Sequence, residues 1–130
     1  MESSASLADL KVMIVEDDYI LAMDTEVALG DAGAEVVGPF PSEDLAIDAI
    51  QRETLDAAVI DLNLGFGPTF VVVEELQRSG IPFVILTGYT EALPNELMHL
   101  HRMTKPVDTK QVVQRLSEIL EARRERLYLQ

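Results

Sequence analysis

A chain of 130 residues, 48% of them hydrophobic, has the apolar material for one packed core and the length of one domain. Its formal net charge of −13 speaks against binding a nucleic-acid backbone, its lack of cysteine excludes disulfides and thiolate zinc sites, and no apolar stretch reaches the length of a membrane span. The opening MESSASLADL has neither the basic flank nor the apolar stretch of a secretion signal, so a reducing, cytoplasmic setting is expected.

Residues 1–10 are polar and Ser-rich, the composition of a flexible tail ahead of a domain over 11–122. KVMIV (Lys11 to Val15) is a β-rich apolar run closed abruptly by Glu16, Asp17 and Asp18. A helical pattern follows, with Ile20, Met23 and Val27 at i, i+3 and i+7 as its expected inward face, and Gly30 and Gly33 mark its end. EVVG (Glu35 to Gly38) reads as a second strand stopped by Gly38 and Pro39. Ser42 caps a second helix expected to turn Leu45, Ala46, Ala49 and Ile50 inward, with Glu43 and Asp44 at its positive end.

AAVID (Ala57 to Asp61) is a third strand, GFGPTF a loop, and VVVEELQRSG a helix that stops at Gly80. PFVIL (Pro82 to Leu86) is a fourth strand. Residues 91–100 read as an irregular helix and 101–104 as a very short fifth strand. A last helix, capped by Asp108, carries Val112, Leu116, Ile119, Leu120 and Arg123 on one face, and residues 123–130 extend it as a charged overhang. Strands and helices alternate, and the strands are continuously apolar. That pattern predicts an α/β domain whose parallel sheet is covered by helices on both faces, with its sites at the C-terminal ends of the strands.

Polar groups stand at those ends: Glu16, Asp17 and Asp18 after the first strand, Asp61 and Asn63 after the third, Thr87 and Gly88 after the fourth, Lys105 and Pro106 after the fifth. An acid closing a buried strand loses hydration, so Asp61 has either a partner or a task. Glu16, Asp17 and Asp61, if close together, repel one another, and one is driven toward protonation unless a cation intervenes. Mg²⁺ suits such a gap, because it prefers oxygen ligands and binds through one or two carboxylates plus phosphate. An ionised Asp61 can then attack phosphorus and form an acyl phosphate. Lys105 and Thr87 would meet the phosphoryl oxygens, and Gly88 would leave room for them. Taken singly, each has a plainer explanation: Asp18 as an acid at a helix N-terminus, Thr87 as a β-branched strand residue, Lys105, His99 and His101 as surface residues.

VEDD (Val15 to Asp18), VIDLN (Val59 to Asn63), LTG (Leu86 to Gly88) and TKP (Thr104 to Pro106) together resemble the signature of CheY-like response-regulator receiver domains over roughly residues 11–120. The resemblance implies a flavodoxin-like three-layer sandwich with strand order 2-1-3-4-5. It makes Asp61 the phosphoacceptor of a histidine kinase or phosphotransfer protein in a two-component phosphorelay. It assigns Mg²⁺ to Glu16, Asp17, Asp61 and the Asn63 carbonyl, and phosphoryl contacts to Thr87 and Lys105. It also implies a cis bond before Pro106. More narrowly, PFVILTGY (Pro82 to Tyr89) resembles the motif of the single-domain "FAT GUY" regulators of alphaproteobacteria, which work with kinases of the HWE or related types.

This chain departs from the family where Arg102 replaces the aromatic expected three before the lysine and Gly65 the proline expected four after the phosphoacceptor. The stretch 89–104 is short by about one helical turn, ~4 residues, so a fourth helix is expected to be short or missing. Tyr89, two after Thr87, becomes the candidate switch aromatic beside Thr87 and Lys105. The expected function is a stand-alone receiver, monomeric or weakly dimeric, signalling through a protein partner rather than DNA and not turning over a substrate. Two alternatives stand beside it. A phosphohydrolase with an aspartyl-phosphate would want an acid where Asn63 stands, and a pseudo-receiver used only for binding would have no reason to keep the whole set of site residues.

Overall fold

The computed structural model describes residues 6–61, 70–87 and 102–129. Five strands, β1 (Lys11–Val15), β2 (Glu35–Phe40), β3 (Ala57–Asp61), β4 (Phe83–Thr87) and β5 (Arg102–Thr104), form one parallel sheet in the order β2-β1-β3-β4-β5. Four helices lie among the described residues: α1 (Tyr19–Asp31), α2 (Glu43–Arg52), α3 (Phe70–Arg78) and α4 (Thr109–Leu129). This is the flavodoxin-like, CheY-like sandwich. Of the region expected to hold a reduced extra helix, 89–104, residues 89–101 lie outside the described residues and Arg102–Thr104 form β5.

Alternation along the apolar strands feeds two cores. Met13, Val15, Ala58, Ile60, Phe83 and Ile85 pack under α2 and α3, against Ala49, Ile50, Val72 and Leu76. Val12, Ile14, Ala57, Val59, Val84 and Leu86 pack under α1 and α4, against Leu29, Val112 and Leu116. Every residue of β3 and β4 is buried, as strands covered on both faces must be. Each large aliphatic side chain so covered contributes about 1.5–3 kcal/mol.

Caps set the helix starts. The Asp18 carboxylate accepts from the Ile20 and Leu21 amides at 3.0 and 3.1 Å, so this acid is the cap of α1. Ser42 Oγ accepts from Leu45 N at 3.4 Å and Asp108 Oδ1 from Lys110 N at 2.9 Å, as the sequence predicts for both caps. Gly80 closes the end of α3 with φ +71°, and Ile81 N–H returns to the Leu76 carbonyl at 3.0 Å.

Four expectations need correction. The inward face of α1 is Ala22, Thr25 and Leu29, whereas Ile20, Met23 and Val27 are exposed. The helix is apolar almost all round, so periodicity alone does not select a face, and the small side chains are the ones that let it approach the sheet. Leu45 of α2 is half exposed, and only Ala46, Ala49 and Ile50 turn inward. β2 does not stop at Gly38 but runs on to Phe40, with a bulge against β1; it is an edge strand, where a proline costs no ladder bond on the open side. In the described part of the expected tail, residues 6–10, Leu7 is fully buried and its N–H donates to the Ala32 carbonyl at 2.8 Å, so that part is tied to the domain.

Candidate functional site

The C-terminal ends of β1, β3, β4 and β5 meet at one edge of the sheet. β1 delivers Glu16 and Asp17, β3 ends in Asp61, β4 ends in Thr87, and Lys105 follows β5. Oxygen atoms of Glu16, Asp17 and Asp61 lie within 4.8 Å of one another. Lys105 Nζ donates to Asp61 Oδ2 at 2.8 Å and stands 3.9 Å from Glu16 Oε1. The Lys105 backbone is itself fixed, its N–H donating to the Thr87 carbonyl at 2.7 Å. The peptide between Lys105 and Pro106 is cis, as the resemblance implies.

Burial sharpens the electrostatics. Asp61 is 2% exposed and Glu16 5%, while Asp17 opens to solvent. Desolvation pushes the Glu16 carboxyl up from 4.5 to about 8, reinforced by a hydrogen bond to Asp61 and by the Asp61 charge; the Asp18 amide and Lys105 pull the other way. Asp18 N–H donates to Glu16 Oε2 at 3.2 Å. Burial disfavours the Lys105 ammonium, but the hydrogen bond to Asp61 and the charges of Asp61, Glu16 and Asp17 outweigh it and raise its pKa. Crowded acids whose charges disfavour one another are the arrangement that a hard cation relieves. The donor set is all oxygen, which fits Mg²⁺. Beside the acids an open groove of about 560 Å³ runs between Ile20 and Asp24 of α1 and Lys105, Pro106 and Val107.

The structure therefore brings together Glu16, Asp17, Asp61, Thr87 and Lys105. Asn63, Gly88 and Tyr89 lie outside the described residues. One contact escaped the sequence reading: Glu16 N–H donates to the Phe40 carbonyl at 2.9 Å, which anchors the acid from the edge strand. The signal for it is the Gly38-Pro39 pair inside a strand, a combination that marks a bulge as well as a stop.

No protein-family model and no curated protein sequence matches the chain. Solved structures do. The response regulator PhyR from Brucella abortus superposes with a TM-score of 0.79 at 24% identity, covering 95% of this chain and 52% of PhyR. A CheY-like response regulator receiver domain protein from Methanospirillum hungatei gives 0.79 at 21% identity, covering 92% of this chain and 99% of that one. The receiver domain of a Pseudomonas aeruginosa sensor histidine kinase, solved with a magnesium ion coordinated in its active site cleft, gives 0.73 at 19% identity, covering 87% and 98%. The chain thus spans about half the length of PhyR and nearly all of the other two. These likenesses establish the fold, which is that of response-regulator receiver domains.

Proposed function

We propose that this chain is a response-regulator receiver that accepts a phosphoryl group on Asp61. The observation that carries the reading is the meeting of three carboxylates and one ammonium from the ends of three strands, with Lys105 Nζ 2.8 Å from Asp61. The donor would be the phosphohistidine of a histidine kinase, of HWE or related type, or of a phosphotransfer protein. Because such donors are charged from ATP, the reading includes a cytoplasmic location. An Asp61 carboxylate oxygen attacks phosphorus; the new O–P bond forms as the N–P bond breaks, and the imidazole leaves with the electron pair. Glu16, Asp17 and Asp61 would hold Mg²⁺, with the Asn63 carbonyl as the resemblance implies. The ion would neutralise charge gathering on the phosphoryl oxygens. Lys105, now on Asp61, can follow the negative charge to the incoming group, and Thr87 at the end of β4 offers a hydroxyl beside it.

Output then passes through protein contacts, in keeping with a charge of −13 that repels nucleic acid. Tyr89 would be the moving aromatic. Membership in the narrower "FAT GUY" group rests on Pro82 to Tyr89. The test is the intact mass after incubation with acetyl phosphate. Wild-type protein should gain the mass of one phosphoryl group with Mg²⁺ present and none in chelator, and Asp61→Ala should gain none in either. Labelling that persists in chelator, or in Asp61→Ala, would refute the assignment.

A further inference from the structure

The β1–β2 ladder slips where it reaches the acids. Lys11, Val12 and Met13 pair with Glu35, Val36 and Val37, but Val15 pairs with Phe40, so β2 carries one residue more than β1 between those rungs. Gly38 sits in the extra length at φ +101°, a conformation that L side chains rarely adopt. It also lies hard against β1: a Cβ built on Gly38 would stand 2.9 Å from the Ile14 carbonyl oxygen and 2.9 Å from the Phe40 nitrogen. Both atoms are backbone, with no flexible end to move aside. They flank the bond that closes the ladder, Glu16 N–H to Phe40 C=O at 2.9 Å.

We infer that Gly38 is a positioning residue for the carboxylate pocket: by letting the bulged end of β2 close onto Ile14, it lets the Phe40 carbonyl fix the Glu16 backbone and so aim the Glu16 carboxyl at Asp17 and Asp61. The inference deepens the cation reading above and rests on it. Partners behind a metal ligand commonly matter by about 10-fold or more in affinity. Gly38 acts at one remove further, through two backbone segments that a methyl group would force apart.

Gly33 supplies the control. It too has a positive φ, +98°, and a Cβ there would stand 2.9 Å from the Ala8 Cα, but it precedes the opposite end of β2. Gly38→Ala and Gly33→Ala should both melt below wild type. Only Gly38→Ala should raise the Mg²⁺ Kd, by about 10-fold or more in titration calorimetry, and only it should speed exchange of the Glu16 amide proton in metal-free protein. Equal effects of the two variants on Glu16, or none from Gly38→Ala, overturn the inference.

Should Gly38→Ala not fold, wild-type protein decides. By reciprocity, Mg²⁺ must tighten the Glu16–Phe40 bond, slowing that amide more than the amide of Val12 at the far end of β1; equal slowing overturns the inference. A wild type that binds no Mg²⁺ sinks the cation reading instead, and metal-free exchange in the two variants still judges whether Gly38 holds Glu16.

Discussion

Glu16 and Asp61 close neighbouring strands, are both nearly dry, and share one ammonium. With its carboxyl raised from 4.5 to about 8 by desolvation and by Asp61, Glu16 binds its proton more tightly folded than unfolded. The contribution is therefore complete below the ordinary value and lost as pH rises through about 8. Metal-free wild type should lose stability over that window relative to Glu16→Gln, which cannot ionise. Parallel urea midpoints for the two proteins would contradict the shift. Lys105→Ala should still take up phosphoryl groups with Mg²⁺, yet lose the amide chemical-shift changes that follow in wild type, because the group that follows the charge is gone. The acids and Lys105 were readable from strand ends alone. Asp18 is legible as an acid at the start of a helix, and the structure makes it the cap; the anchoring of Glu16 by Phe40 is not legible, since it is a backbone-to-backbone contact that composition does not record.

Among the helices, α1 shows where periodicity runs out. Ile20, Met23 and Val27 keep the same spacing as Ala22, Thr25 and Leu29, and only contact with the sheet separates the two sets. Leu29→Ala should cost about 2–5 kcal/mol of unfolding free energy by creating a cavity in the α1–α4 core. Val27→Ser, on the exposed face, should change it by less than about 0.5 kcal/mol; the reverse order would mean that α1 is rotated. Strands were easier to read. A run such as AAVID, apolar for four residues and buried on all five, has few other uses than a strand covered on both faces. β2 is harder, because glycine followed by proline is the pattern of a stop, whereas an edge strand tolerates both at a bulge.

At the scale of the whole molecule, three acids and a lysine gather at one sheet edge of a chain whose net charge is −13. Spacing alone does not yield the strand order; the resemblance carried by four short motifs implies 2-1-3-4-5, and the sheet has that order. A cation bound only by the folded chain must stabilise it. Mg²⁺ at a hundred times its Kd should add about 2.7 kcal/mol, visible as a rise in melting temperature that Asp17→Asn largely removes. An equal rise in that variant would place the ion elsewhere. Beyond binding, the reading stands on which atom receives phosphorus. Phosphorylated protein reduced with borohydride should carry its modification on residue 61, converted to homoserine and found in the peptide that contains Val59 and Ile60. A modification on any other acid, or none, would contradict it.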